Sequence, residues 1–316
     1  MVMAQSLFIT LKQQQPDVII DVLAPEWSLP ILQRMPEVRQ GICLPVKHKQ
    51  LGLMIRWKLG RQLRAQAYDQ AIVLPRSYKS ALVPFFAKVP IRTGYRGESR
   101  FGVINDTRVL DKSVLQQTVQ RYVALGVLKT AILPPAIPEP RLRVDTQNQQ
   151  RLLQKFNLQI NKPIIGMMPG AEYGPAKQWP VESYRELAEK LSALGNRVWI
   201  FGSLKEQSLG EKIAVNSDIV NLCGKTQLED VVDLLAASES VVSNDSGLMH
   251  IAAAVGIKLV VIYGSSTPKY TPPLSNKAKI IYHQLECSPC FERECQFDHY
   301  DCLRRITTNE VMESLC

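Results

Sequence analysis

IIGMMPGAEYGPAKQWPVESYRELAEKLSALGNRVWIFGS, residues 164–203, is the stretch on which the fold turns. Ile164 to Met168 is a short apolar run that reads as a strand, and Pro169-Gly170 ends it. A loop rich in Gly, Ala and Pro follows, then Ser183 to Leu194 as a helix and Arg197 to Phe201 as a second strand. Strand, helix and strand in that order predict two parallel strands joined by a crossover. The alternation continues through Lys205 to Val215 (helix), Ile219 to Leu222 (strand), Leu228 to Ala237 (helix), Ser240 to Ser243 (strand), Leu248 to Val255 (helix) and Leu259 to Tyr263 (strand). Five strands with crossover helices describe a Rossmann-like, doubly wound domain.

The same rhythm holds upstream. Val18 to Leu23 and Ala71 to Leu74 read as buried strands. Trp27 to Arg34, Leu51 to Gln66 with a basic face, Tyr78 to Phe86 and Ser113 to Leu125 read as helices. The chain opens on a helix, MVMAQSLFITLKQQQ, with Met3, Leu7 and Leu11 on one face, although the first strand of such a domain normally precedes its first helix. That first strand is not found here. Residues 129 to about 150 break the alternation with Pro134, Pro135, Pro138 and Pro140, so the expected division is 1–150 and 151–316.

Composition bounds the function. The chain has 316 residues, 46% hydrophobic and 21% charged, which is globular and suits two domains. It has neither an apolar run long enough to span a bilayer nor a leader pattern, so a cytoplasmic protein is expected. The formal charge of +9 suits an anionic partner, while 7% aromatic residues and no nucleic-acid-binding motif argue against nucleic acid. Seven cysteines, an odd number without an export signal, argue against a disulfide framework.

Three loops fall after strands of the second half, at the edge where ligands of such domains bind. The Gly170 loop, PGAEYGPAKQWP, offers backbone N–H groups and Lys177 to an anion; a surface connection with a solvated lysine is the plainer reading. FGS at 201–203 is followed by Glu206, which can accept hydrogen bonds from a ribose or base, or serve only the helix dipole. In VVSNDSGLMHIAAAVG, residues 241–256, Asp245 or Ser246 can cap a helix whose N-terminus is a phosphate site. Gly247 allows close approach there, and His250 sits in the first turn, facing a ligand or simply half-buried. In the first half Lys79, Arg92, Arg96 and Arg100 fit a second anionic substrate or are solvated charges. CSPCFERECQFDHYDC sets Cys287, Cys290, Cys295 and Cys302 around His299, either as a tetrahedral zinc site of unusual spacing or as packed thiols.

YDQAIVLPRSYKSALVPFF, RTGYRGESR, PGAEYGPAKQWP, FGSLKEQ and NDSGLMHIAAA, in this order and spacing, resemble glycosyltransferase family 9, the heptosyltransferases, from Met1 to about Pro273. The Cys-rich tail resembles that of only some members. The resemblance implies a GT-B architecture: two Rossmann-like domains facing across a cleft, acceptor on the first and sugar nucleotide on the second. It implies inverting transfer of L-glycero-D-manno-heptose from ADP-heptose to the first heptose of heptosylated Kdo-lipid A, with no cofactor and no metal. It further implies a monomer in transient contact with the cytoplasmic face of the inner membrane. Gly170, Lys177, Glu206, Asp245, Ser246, Gly247 and His250 would hold the donor, and Lys79, Arg96 and Arg100 the acceptor. The resemblance also implies a base, an aspartate in a Gly-Asp loop ahead of the first helix. That loop is upstream of Met1, so the chain as written is expected to bind the nucleotide sugar without transferring it.

Overall fold

Among the described residues every paired strand runs parallel to its neighbour, as the strand and helix alternation requires. The computed structural model describes residues 1–47 and 50–315. It divides into two units, Met3–Pro138 and Glu139–Cys316, so the boundary falls within the proline-rich stretch and ahead of the expected residue 150.

The first unit runs α1 (Gln5–Gln14), β1 (Ile20–Ala24), α2 (Leu29–Gln33), β2 (Val38–Cys43), α3 (Leu53–Leu63), β3 (Gln70–Val73), α4 (Leu82–Phe86), β4 (Ile91–Tyr95), β5 (Asp106–Arg108) and α5 (Thr118–Val123). β1 pairs with β2, while β3, β4 and β5 form a separate sheet in that order. The helix expected from Ser113 is shortened to α5. Asp111 accepts hydrogen bonds from the Ser113 N–H (2.8 Å) and hydroxyl (2.5 Å), an Asx turn that competes with helix. Asp21 in β1 is the polar anchor of this unit. Its carboxylate, almost wholly buried, accepts from Arg39 Nε (2.8 Å), Gln40 Nε2 (2.8 Å) and Tyr68 Oη (2.5 Å), tying β1 to β2 and to the approach to β3. Burial pushes this acid upward, but the hydrogen bonds from Arg39, Tyr68 and Gln40 outweigh it and hold the carboxyl below the usual range.

The second unit runs α6 (Thr146–Lys155), β6 (Ile164–Met168), α7 (Val181–Ala193), β7 (Arg197–Ile200), α8 (Gln207–Ile213), β8 (Ile219–Asn221), α9 (Leu228–Leu235), β9 (Ser240–Asn244), α10 (Gly247–Val255), β10 (Lys258–Tyr263), β11 (Ala278–Tyr282), α11 (Asp301–Arg304) and α12 (Thr308–Leu315). α6 belongs here because Asn148 Nδ2 donates to Asp230 (3.0 Å) and Asp233 (2.7 Å) of α9. The sheet order is β11-β10-β9-β6-β7-β8, six strands where five are expected. β11 escapes the sequence because only Ile281 of its five residues is buried. β6 and β9 are buried along their whole length, as central strands covered on both faces must be. From β6 the chain builds outward to β7 and β8, then returns to β9 on the other side. This reversal opens a crevice at the carboxyl ends of β6 and β9, the place where such sheets bind ligands. Among the described residues no helix is long and apolar enough to cross a membrane.

Replacing Asp21 with Ala strips Arg39 and Tyr68 of a shared acceptor and should destabilise the first unit by about 1–3 kcal/mol. Because the native acid is held below its ordinary range, the wild-type advantage should be full above the usual carboxylate range and fade as pH falls through the lowered one. Urea melts of both proteins from pH 7 to pH 3 read this; a constant difference would remove Asp21 as the anchor.

Candidate functional site

The loop from Pro169 to Pro180 leaves β6 and returns into α7, and one side chain holds both its ends. Asn244, the last residue of β9, is fully buried. Its Nδ2 donates to the Pro169 carbonyl (2.7 Å), and its Oδ1 accepts from the Trp179 N–H (3.1 Å) and the Tyr184 hydroxyl (3.1 Å). Trp179 is itself locked: its indole N–H donates to the Ile306 carbonyl (3.0 Å) and its ring meets Tyr184 edge-on at 5.0 Å. The AKQWP motif is therefore half anchor and half presentation. Trp179 and Pro180 fix the loop, and Lys177 is displayed two residues earlier.

Lys177 Nζ lies 2.5 Å from Asp245 Oδ2, and the Ser266 hydroxyl donates to the same oxygen at 2.6 Å. This departs from the expectation that Asp245 caps the next helix. Its carboxylate turns toward Lys177 and Ser266, Ser246 takes the N-cap position, and no side chain bonds the first amides of α10. The N-terminus of α10 is thus open. A Cβ at Gly247 would have nothing within 4 Å, so a ligand can reach the backbone there. His250 stands half-buried in the first turn. Burial pushes its imidazole down to about 4, against the opposing pull of Asp245, so the ring is neutral at pH 7.

Glu206 serves the helix it opens and also fills the space over Gly170. Oε2 accepts the Ser203 N–H (2.5 Å) in a capping box, while Oε1 lies over Gly170, where a Cβ would stand 1.8 Å away. Gly170 is small because Glu206 occupies the side-chain space. Gly170, Lys177, Glu206, Asp245, Ser246, Gly247 and His250 thus line one edge of the sheet, as the spacing of the three loops suggests.

The Cys-rich segment braces the same loop through its backbone. The Phe291 carbonyl accepts the Tyr173 hydroxyl (2.5 Å), the Arg293 carbonyl accepts the Ala176 N–H (3.0 Å), and the Phe291 N–H donates to Ser265 (2.7 Å). Lys177 Nζ and the Arg293 guanidinium both lie near the Tyr173 ring, at 5.0 and 5.4 Å from its centroid. Cys287, Cys290, Cys295 and Cys302 are free thiols. Burial, with the neighbouring thiols of the other three, pushes Cys302 up to about 11. His299 is turned to local use, its Nδ1 accepting the Asp301 N–H (2.9 Å). Among the described residues no group of three or more His, Cys, Asp or Glu side chains is arranged to hold a metal.

In the first unit the loops after β3 and β4 lie side by side. Arg76 Nε donates to the Arg96 carbonyl (3.3 Å), and Glu98 accepts the Tyr78 N–H (2.7 Å). Arg96 is exposed, and Lys79 Nζ is 3.4 Å from the Gln50 carbonyl. Arg100, an acceptor candidate by sequence, is placed inside the unit. It is buried at 5% exposure and donates to the Pro75 carbonyl (2.8 Å) and to the Tyr95 carbonyl, locking the two loops together. Arg92 is spent similarly, on the Val103 carbonyl (2.8 Å) and the Val89 carbonyl (2.5 Å). Sequence reasoning did not assign roles to Asn244, Ser266, Tyr173 or Arg293. A signal for Asn244 exists, an amide ending an apolar strand beside a Gly-rich loop; Arg293 had none, since it is distant in sequence.

Asn244→Ala should leave the Pro169 carbonyl and Trp179 N–H unpaired, lowering stability by about 1–3 kcal/mol. Amide exchange should rise across 169–180 while the distant β8 edge stays protected; uniform exchange would dissolve the anchor. The neutral ring of His250 has its own signature: its folded value lies below the unfolded one. Its contribution to stability is therefore complete above about 6.5 and is lost as pH falls toward 4. Proton NMR titration of the ring should give a midpoint near 4, and a midpoint above 6 would contradict its burial.

The model of glycosyltransferase family 9 (heptosyltransferase) matches residues 56–301. Lipopolysaccharide heptosyltransferase 2 of Salmonella typhimurium is 46% identical over 331 aligned positions, covering 100% of this chain and 94% of that protein. Lipooligosaccharide heptosyltransferase 2 of Haemophilus influenzae is 50% identical over 295, covering 89% and 84%. The solved structure of the Escherichia coli ADP-heptose heptosyltransferase II superposes with a TM-score of 0.87 at 43% identity, over 100% of this chain and 93% of that one. The fold, the edge loops and these likenesses agree, and the chain belongs to glycosyltransferase family 9, the heptosyltransferases.

Proposed function

We propose that the protein moves L-glycero-D-manno-heptose from ADP-heptose to the first heptose of the lipopolysaccharide inner core, inverting the anomeric centre. The observation that carries the reading is Lys177, held by Asp245 beside the uncapped N-terminus of α10 at the β6/β9 edge. The donor diphosphate lies on the α10 amides next to Lys177, with Ser246 and Gly247 lining its path. Glu206 takes the adenosine ribose or base through the oxygen that faces Gly170. As the bond from heptose to diphosphate breaks, negative charge grows on the departing ADP, and fixed amides with a pre-placed lysine stabilise it. Arg293, whose guanidinium lies 5.4 Å from the Tyr173 ring centroid, adds a second positive charge.

The acceptor hydroxyl must lose a proton as the new bond forms. His250, pushed down to about 4, is too weak a base for that at neutral pH, and the Asp245 carboxylate is engaged by Lys177 and Ser266. Both therefore bind and position, and the proton passes to the base that the family resemblance implies, an aspartate in a Gly-Asp loop ahead of the first helix. Lys79 and Arg96 meet the phosphorylated heptosylated Kdo-lipid A acceptor, with Arg100 as the brace between their loops. The reading asks for no cofactor and for a monomer working at the cytoplasmic face of the inner membrane, where its acceptor is embedded. A nucleotide-sugar-binding module without transfer is the rival. It is disfavoured because relatives at 46–50% identity over nearly the whole chain are named as transferases.

Lys177→Ala should lower kcat/KM for ADP-heptose roughly tenfold or more with circular dichroism unchanged. Unaltered kinetics would take Lys177 out of the donor site, and tight ADP binding by the wild type without any transfer would favour the binding module.

A further inference from the structure

α3 is built inside out. The side it presents to α4 carries Arg56 and Gly60, one turn apart and both buried. A Cβ at Gly60 would stand 2.5 Å from Phe86 Cβ and 2.8 Å from the Val83 carbonyl, so the helix is seated backbone-first. Arg56 is consumed locally, its Nε donating to the Leu51 carbonyl at 2.7 Å. The large apolar side chains face water instead: Leu51 is 51% exposed, Leu53 51%, Met54 62%, Ile55 39% and Trp57 38%. At 3.6 residues per turn Met54, Lys58 and Arg61 fall on the side opposite Arg56 and Gly60, with Trp57 on the flank beside them. The Arg61 guanidinium lies 4.9 Å from the Trp57 ring centroid. Apolar residues thus gather at the start of the helix, with Lys58, Arg61 and Arg64 behind them.

Charge selects the occupant. Residues 38–68 contain seven Lys and Arg and no Asp or Glu. A second copy of this face would bring like charge against like, and a nucleic-acid backbone has no use for an apolar tip of leucine and methionine. A surface offering anionic headgroups above an apolar interior matches both parts of the pattern: basic side chains on the headgroups, Leu53, Met54 and Trp57 at the headgroup–acyl boundary. Lys79, an acceptor candidate, reaches the Gln50 carbonyl just ahead of the helix, so a docked α3 lies close to where the acceptor is met.

We propose that the exposed face of α3, with Leu51 and Leu53 at its tip, is the surface by which this protein docks on an anionic lipid bilayer. The proposal deepens the reading above, since it supplies the membrane contact that a lipid-anchored acceptor requires, but its test is separable. Purified full-length protein is sedimented with vesicles of phosphatidylethanolamine and phosphatidylglycerol, and with vesicles of phosphatidylcholine, neither containing acceptor. Binding is expected to the anionic vesicles, with a blue shift of tryptophan emission that is lost in Trp57→Phe. A Leu53→Ser, Met54→Ser double variant and a Lys58→Glu, Arg61→Glu double variant should each bind at least tenfold more weakly with unchanged thermal melts. On a deacylated, water-soluble acceptor both should turn over as the wild type does, whereas on vesicle-embedded acceptor both should be slower. Equal binding of wild type and variants, equal binding to phosphatidylcholine, or a wild-type dimer in sedimentation velocity that the variants abolish would overturn the docking face. Loss of transfer on the soluble acceptor by the wild type would instead strike at the proposed reaction and leave the vesicle result standing.

Discussion

The donor edge depends on one buried amide. Asn244 offers two hydrogens and one carbonyl oxygen, and the structure uses them to pin the first and last parts of a twelve-residue loop to the end of the central strand. Without that tie, the two ends of the loop would come off the end of β9, and Lys177 would be held only through the backbone brace of the Cys-rich segment. With it, a flexible side chain is delivered to Asp245, which Ser266 holds from β10's side. A lysine already oriented by a carboxylate gives up little freedom when an anion arrives. The pair therefore looks wasteful as a stability device and sensible as preorganisation, since ion pairs alone contribute little.

The second unit was largely legible in the amino-acid sequence because its strands are central and covered on both faces. Such strands read as unbroken apolar runs, and Ile164–Met168 coincides with β6 residue for residue. The failures share a cause. β2 (VRQGIC), β4 (IRTGY) and β11 (AKIIY) mix polar or charged residues with apolar ones, so neither periodicity nor an apolar run marks them. The break between the units falls within the proline-rich stretch, ahead of residue 150, because α6, although strongly polar, is tied to α9 of the second unit by hydrogen bonds.

The candidate site was legible as a set of loops and opaque as a set of contacts. Spacing could say that Gly170, Glu206 and Asp245 fall at one sheet edge, because each follows a strand. It could not say that the carboxylate of Asp245 turns away from the helix it precedes, since capping and ion pairing use the same atoms and only the position of Lys177, 68 residues away, decides between them. Nor could it link the Cys-rich segment to the loop it braces. Those hydrogen bonds run through the backbones of Phe291 and Arg293, which carry no side-chain signal in the sequence.

Positive charge in the first unit divides by the same principle. A net charge counts Arg92 and Arg100 alongside Arg61 and Arg96, yet the first two are turned inward onto backbone carbonyls left over where strands end. A buried guanidinium suits that task, since its planar fork reaches several carbonyls at once and a lysine cannot. Lys58 and Arg61 of α3 and Arg64 just after it are exposed, as are Arg39, Arg76, Lys88, Arg96 and Lys112 elsewhere in the unit, and α3 sets its cations behind exposed apolar side chains. By letting the helix backbone rest directly on α4, Gly60 puts Met54, Lys58 and Arg61 on the outer side, while Leu53 at the start of the helix and Trp57 on its flank also stay exposed.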